Sequence, residues 1–225
     1  TTGAENNEGK NDWTTARLMK LLNPSDYYTV DTNDNGLGQS LYYNSGSGKC
    51  YSGAGNTTVD CDFTSTGIKN DTTRNLIAET TWNLGGWNSG VVYSNQMYEY
   101  ERGKTVYQGR PTTPWKGKIA LAYPSDYGYA AEFGTDKCNS TLIKYNDTTC
   151  KSNNWMKGTF GSSERWLLTP NASSSYTAWL VASSGVVYSL NAYIACGVSP
   201  VLYLNSNVEF RDGDGSASNP YQLSA

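Results

Sequence analysis

Cysteine and carboxylate side chains are the groups in this sequence that could support chemistry, because the 225 residues include no histidine. Cys50 and Cys61 bracket one short loop rich in Gly, Asn and Thr, and Cys138 and Cys150 bracket a second loop. Two local disulfides, Cys50–Cys61 and Cys138–Cys150, are the simplest prediction, and they indicate an oxidising compartment outside the cytoplasm. A zinc site is the alternative, but no CxxC pair and no histidine is present to build one.

Cys196 is left without a predicted partner. No basic residue or histidine stands near it in the sequence to lower its pKa, so we expect a free or semi-buried thiol, not a nucleophile. Residues 31–39, DTNDNGLGQ, match the front of a calcium loop, but Tyr42 occupies the place of its last acidic ligand. Asp212 and Asp214 lie in a turn-rich tail. We expect polar turns at both places, and therefore no metal and no cofactor.

The most unusual segment comprises residues 167–208, which contain no Asp, Glu, Lys or Arg, although 16% of the chain is charged. Its middle alternates as a half-buried β-hairpin does, with a turn at Ser183-Ser184-Gly185. The bulky residues Trp179, Val181 and Val187 share one parity, which predicts the core face. The outward face then comprises Leu180, Ala182, Val186, Tyr188 and Leu190.

An outward face without charge is typical of a contact site. The alternative is a hairpin buried on both faces inside a sandwich, which is equally poor in charge. The sequence pattern by itself is compatible with both arrangements.

Short helices and strands must position this segment. Helices are predicted at 14–22 after the N-cap region Asn11-Asp12-Trp13, at 74–84 after the cap Asp71-Thr72-Thr73, and at 95–102 before Gly103. Strands are predicted at 119–121, 165–168 and 201–204. The order, with short helices early and antiparallel hairpins late, predicts a loop-rich, disulfide-stapled α+β fold.

Composition narrows the class of partner. The net charge of −3 argues against nucleic acid and against an anionic membrane surface, both of which need a concentrated basic face. No apolar run approaches the ~18 residues of a membrane span. We interpret residues 1–12 as a linker that follows a missing N-terminal anchor, and residues 13–225 as one domain.

Several blocks carry a resemblance to a known family. TTARLMKLLNPS, YYNSGSGKCYSG, CDFTSTGI, GKIALAYPSDYGYA, CKSNNW, RWLLTP, GVSPVLYLNSNV and GDGSASNPYQL resemble bacterial surface proteins that often follow a prepilin-type helix or another anchor. The C-terminal part is similar to the C-type lectin-like fold of variable proteins diversified by retroelements. The resemblance covers essentially the whole chain and implies a variable region at about 167–204.

The resemblance also implies which positions are fixed and which vary. Scaffold positions would be Trp166, Pro170, Trp179, Val181, Gly185, Val187, Gly197, Val198, Pro200, Leu202 and Leu204. Variable ligand-binding positions would be Ala172, Ser173, Ser174, Ser175, Tyr176, Leu180, Ala182, Ser184, Val186, Tyr188, Ser189, Leu190, Ile194 and Cys196. All of the variable set can arise by changing adenines in Asn codons, whereas Lys and Glu cannot.

Two departures limit the resemblance. Ser199 stands where the family usually has Arg, which would tie the closing strand to the core. The calcium-dependent sugar-binding motifs of animal C-type lectins are absent, so calcium-bridged sugar binding is not implied.

We expect a binding protein at a bacterial cell surface or pilus tip, with no enzymatic activity. Its partner would be a protein or glycan on another cell, a host or a phage. A structural minor pilin subunit is one alternative. An enzyme related to the formylglycine-generating group, which shares the lectin-like fold, is another, although such enzymes need a reactive cysteine pair or a metal site.

Overall fold

The computed structural model describes residues 9–30, 36–52, 57–89, 93–131, 148–216 and 218–224. The helices are α1 (Arg17–Leu22), α2 (Asp71–Leu76), α3 (Ser94–Arg102), α4 (Pro124–Tyr129), α5 (Thr148–Ser152) and α6 (Trp155–Phe160). The strands are β1 (Ser47–Tyr51), β2 (Thr58–Asp62), β3 (Thr80–Asn83), β4 (Pro114–Gly117), β5 (Ile119–Leu121), β6 (Arg165–Pro170), β7 (Thr177–Val181), β8 (Val187–Asn191), β9 (Pro200–Leu202), β10 (Glu209–Asp212) and β11 (Gln222–Ser224). This is a mixed α+β architecture, as the sequence predicts.

The strands pair antiparallel in small sheets. β6, β7 and β8 form a three-stranded sheet in that order, and the other pairs are β1–β2, β3–β4, β5–β9 and β10–β11. Helices and strands alternate more than predicted, because the hairpin β1–β2 comes early and α5 and α6 come late. The described helices include none that is both long and apolar enough to cross a membrane.

One predicted disulfide is confirmed. Cys50 and Cys61 are bonded and link β1 to β2, with 5.9 Å between their Cα atoms. Cys138 lies outside the described residues, so its pairing with Cys150 stays a prediction. Cys150 itself is fully buried. The predicted calcium-loop residues 31–35 also lie outside the described residues.

The N-terminal helix is built much as predicted. Asp12 accepts a hydrogen bond from the Thr14 amide at 3.0 Å and starts a short 3-10 turn that leads into α1. Met19 and Leu22 bury the apolar stripe of α1. Asn23 ends the helix and donates from its side chain to the carbonyl oxygens of Met19 and Ile119, so that one amide group fastens α1 to β5.

The second predicted helix is wrong in its extent and its cap. α2 ends at Leu76, and β3 follows as a strand paired with β4, with Trp82 opposite Trp115. Burial of Trp82 and a cross-strand partner from a distant segment outweigh local helix propensity here. The N-cap is Asn70, which accepts from the Thr73 amide at 2.8 Å, and not Asp71. The third helix is confirmed by α3, which ends at Arg102 with Gly103 as its C-cap.

Two hydrophobic clusters meet at β6. One cluster contains Leu168 and the apolar side chains of α1, β3 and β5, and the other contains Leu167 and the hairpin β7–β8. Trp179 stacks on Trp87 with 4.0 Å between ring centroids and donates to its carbonyl oxygen at 3.2 Å. The Trp87 indole donates in turn to the buried carboxylate of Glu101 on α3 at 2.8 Å. The hairpin is therefore anchored on a rigid base.

Candidate functional site

The hairpin β7–β8 is the element that presents the predicted contact positions. Its tip closes with hydrogen bonds from the Ala182 amide to the Val186 carbonyl oxygen and from the Gly185 amide to the Ala182 carbonyl oxygen. Gly185 has a φ of 97°, which glycine adopts without the strain of a side chain. The hydroxyl of the buried Tyr127, on α4, donates to the Gly185 carbonyl oxygen at 3.0 Å. The hairpin, its turn and its glycine are confirmed.

The core face of the hairpin is also confirmed. Trp179, Val181 and Val187 are at most 2% exposed. Their shared parity places them on one side of the sheet, against the Trp87 cluster. Alternation in the sequence therefore predicted the correct buried face.

Leu180 is a correction. The sequence pattern placed it on the outward face, but the structure buries it completely, at 0% exposure. β7 is the central strand, so Leu180 is flanked on the same face by Trp166 from β6 and by Tyr188 from β8. Hairpin parity could not reveal the third strand, which covers a side chain that a two-stranded ribbon would leave exposed.

The other predicted contact positions keep some exposure. Ser173, Ser175 and Ser184 are exposed. The partly exposed remainder comprises Ala172, Ser174, Tyr176, Ala182, Val186, Tyr188, Ser189, Leu190, Ile194 and Cys196. Ser189 pairs with Trp179 and therefore lies on the core side of the hairpin. The outward face, with Ala182, Val186, Tyr188 and Leu190, is half-open, which agrees neither with a fully solvated surface nor with a hairpin buried on both sides.

The loop between β6 and β7 is held by Asn11, which the sequence pattern placed in a linker and a helix-cap region and not at a contact site. The side-chain Nδ2 of Asn11 lies 2.6–3.1 Å from the carbonyl oxygens of Asn171, Ser174 and Thr177. The backbone amide of Asn11 donates to the carbonyl oxygen of Ser175. Asn11 is itself 9% exposed. The loop backbone is therefore fixed by a side chain far away in the sequence.

Arg110 holds Asn11 in place, and we call the two residues together the clamp of the loop. Its guanidinium donates to the side-chain and backbone oxygens of Asn11, both at 3.1 Å. Burial lowers the pKa of Arg110 from its ordinary value. No local motif marks Asn11 or Arg110, because the bonds join segments about 100 and 160 residues apart.

A small acidic cluster lies at the edge of the hairpin. The Tyr188 hydroxyl donates to one oxygen of Glu164, and the Cys196 thiol lies 3.6 Å from the other. Burial, aided by the Glu164 charge, raises the pKa of Tyr188 to about 12 and that of Cys196 to about 11. The thiol is therefore protonated at neutral pH and is a weak nucleophile.

The segment with Ser199 in place of Arg is held in another way. The Trp166 amide donates to the Gly197 carbonyl oxygen at 3.1 Å, and the Gly197 amide donates to the backbone carbonyl oxygen of Glu164 at 2.9 Å. Arg165 lies over Gly197, where an added Cβ would come within 2.2 Å of its guanidinium, and it reaches the Val198 carbonyl oxygen at 3.5 Å. Arg165 thus supplies a guanidinium to this segment from the neighbouring strand.

A cavity of about 300 Å³ opens beside the outward face of the sheet, where Trp166 and Ala178 lie. The N-terminal segment, α1, β1, β6 and the loop at 192–198 surround it. Two predicted variable positions, Ile194 and Cys196, contribute to its wall. The wall is otherwise largely aromatic and aliphatic, with Trp13, Tyr51 and Trp166 among its residues.

The tail aspartates act within their own turns. Asp212 accepts from the Gly213 amide at 2.7 Å, and Asp214 accepts from the Ser216 amide at 2.9 Å, which lowers the pKa of Asp214. Within the described ranges, no group of three or more Cys, Asp or Glu residues is arranged to hold a metal ion.

Comparison with protein-family models, with characterised proteins and with solved structures finds no match to this chain.

Proposed function

We propose that this protein is a binding module with a C-type lectin-like fold that displays a variable contact face on a fixed scaffold at a bacterial surface. The observation that carries the proposal is the clamp formed by Asn11, which holds the loop at 171–177 through backbone carbonyl and amide groups. Bonds to the backbone do not depend on side-chain identity. The side chains at 172–176 can therefore change while the loop keeps its position.

The chemistry of the face suits recognition. Ser173, Ser175 and Tyr176 lie on the loop, and Tyr188 and Leu190 lie on the adjoining strand. Tyr provides a large contact area at a small cost in conformational entropy, and Ser adapts its hydrogen bonds to different partners. These five residues carry no formal charge, and the Glu164 carboxylate at the edge of the hairpin is bonded to Tyr188, so a partner would be recognised mainly by shape, stacking and hydrogen bonds. A protein or glycan on another cell, a host or a phage fits this description.

Catalysis is not part of the proposal. Cys196 is the free cysteine of the described chain, and its thiol lies beside the Glu164 carboxylate, which disfavours the thiolate. A nucleophilic cysteine needs a neighbour that stabilises the thiolate. The geometry here does the opposite.

Sequencing the codons for residues 167–208 across sibling cells of one strain tests diversification. We expect changes at Ser173, Ser175 and Ser184, within the set that an Asn template allows, and none at Trp179 or Val187. Codons 110–130 serve as the internal control. An invariant stretch, or changes spread equally over the buried positions, would remove retroelement diversification from the proposal.

A structural subunit of a surface fibre is the second candidate function, and the two-stranded pair β10–β11 favours it. Phe210 and Tyr221 are 59% and 61% exposed, and their rings contact each other at 5.5 Å. An exposed aromatic pair on a two-stranded ribbon is a possible packing surface. Replacing both by Ser and measuring the protein in sheared surface fibres tests this role. Loss from the fibres would support assembly, whereas unchanged incorporation would favour the binding module.

A further inference from the structure

The first described residues of the chain lie against two loops of the contact face. Asn11 is bonded to the loop at 171–177 through backbone carbonyl oxygens. Gly9 lies against the second loop, at 192–193, where an added Cβ would come within 3.0–3.2 Å of three atoms. Residues 9–11 therefore bridge the two loops, and we call these three residues the strap.

The two loops also bond directly to each other. The Ala192 amide donates to the Tyr176 carbonyl oxygen at 2.8 Å. Tyr176 and Ile194, which lie on the two loops, both belong to the predicted variable set. A movement of one loop is therefore passed to the other, and the strap spans the pair.

The strap is attached to the loops at few points, and it ends at a fixed residue. Among the described residues, the hydrogen bonds between the strap and the loops all come from Asn11. Lys10 is exposed. Directly after the strap, Asp12 caps the 3-10 turn, and Trp13 is buried with its ring edge-on to that of Trp115 at 6.0 Å. Segments with few buried contacts open at a lower free energy than the core does, so the strap can detach while the core stays folded.

We infer that the strap regulates the contact face: when docked it holds both loops in place, and when displaced it frees both loops together. The inference rests on the proposed binding function, because the regulated face is the proposed contact site. A pull on the residues before Gly9 would then weaken binding at the face without unfolding the domain. By thermodynamic linkage, a partner bound to the face would hold the strap in its docked position.

The substitution Gly9→Ala tests the strap in the full chain. Gly9 has a φ of 81°, which is unfavourable for a residue with a Cβ, and the added Cβ would also press on the backbone at 192–193. Both effects disfavour the docked strap. We expect amide hydrogen exchange to become faster by about tenfold or more, and by the same factor, at Asn11, Asn171 and Ala192. The core amide of Leu168 should exchange at the wild-type rate.

Gly36→Ala is the matched control. Gly36 also has a positive φ, 69°, but an added Cβ there would meet nothing within 4 Å. It should leave exchange at Asn171 and Ala192 unchanged. Faster exchange at Ala192 alone in the Gly9 variant would show that the two loops are not held as a unit. Equally faster exchange at Leu168 would show a general loss of stability, and either result, or no change at all, would overturn the inference.

Asn11→Ala provides a second arm that perturbs the strap from its other contact. Asn11 makes no side-chain bond to Ala192, so independent contacts would accelerate exchange at Asn171 and leave Ala192 at its wild-type rate. A strap that docks as one unit accelerates both amides by the same factor. An unchanged Ala192 amide in this variant would contradict the inference.

The two proposals fail separately, because exchange at these amides does not depend on codon variation. Variable codons in a protein whose loops open independently would leave the binding module in place and remove its regulation. Invariant codons in a protein whose loops open together would keep the strap and remove the variable face.

Discussion

Replacing Asn11 by Ala should loosen the contact loop and destabilise the whole domain. The side chain has two amide protons shared among three carbonyl oxygens, and its own oxygen accepts from Arg110. Counting two donated bonds and one accepted bond at about 1 kcal/mol each gives a loss of about 3 kcal/mol. For a chain of this size that corresponds to a fall in Tm of about 6–12 °C.

Urea unfolding followed by tryptophan fluorescence measures the loss of stability. Asn205→Ala is the matched control, because Asn205 donates one side-chain bond, to the Asn75 carbonyl oxygen at 2.6 Å, in an exposed setting. It should cost less than about 1 kcal/mol. Amide hydrogen exchange adds a local test. The Asn171 amide, bonded to Thr177 in the wild type, should exchange faster in the Asn11 variant.

Equal stability of the two alanine variants would refute the reasoning. Unchanged exchange at Asn171 in a destabilised Asn11→Ala protein would separate the two effects. In that case Asn11 would contribute to folding without fixing the loop, and the proposed scaffold for a variable face would lose its main support.

Three further predictions follow from buried groups and close packing. Burial raises the pKa of Glu101 to about 6, so the folded state binds the Glu101 proton more tightly than the unfolded chain does. Protonation of Glu101 therefore stabilises the folded state. This stabilisation is complete below about pH 4.5 and is lost as pH rises through 6. The Glu101→Gln variant should not show this loss of about 2 kcal/mol in the free energy of unfolding as pH rises. Urea midpoints with the same pH dependence in the wild type and the variant would contradict the prediction. The Cys138–Cys150 prediction requires one titratable thiol per unfolded, unreduced chain, and three thiols would exclude that disulfide. Gly85→Ala should destabilise by about 1–3 kcal/mol because its Cβ would come within 2.0 Å of the Tyr100 carbonyl oxygen, which cannot swing aside as a side chain can. Gly158→Ala, in open space on α6, should be neutral or stabilising by about 0.5–1 kcal/mol, and equal melting temperatures of the two variants would refute this contrast.

Local patterns predicted those features whose cause is local. Alternation gave the buried face of the hairpin, because side chains on a strand point to opposite sides with a period of two. Loop composition and spacing gave the Cys50–Cys61 bond, and the capping residue Asp12 marked the start of the first helical segment. The glycine at the hairpin turn followed from the positive φ that such turns need.

Features that depend on distant partners were decided by the tertiary structure. The segment at 80–83 became a strand because β4 pairs with it, and Leu180 became core because β6 flanks its strand. Neither partner lies within the window of a local pattern. Parity can assign a residue to a face, but only packing decides whether that face is covered.

The contact site shows the same division. The sequence by itself determined that residues 167–208 form an uncharged segment with a hairpin, because charge and alternation belong to the chain. The clamp of Asn11 and Arg110 on the loop, the guanidinium of Arg165 beside Gly197, and the aromatic cavity exist only in the folded chain. Each joins groups far apart in sequence, and folding brings them within bonding distance as the apolar clusters are buried.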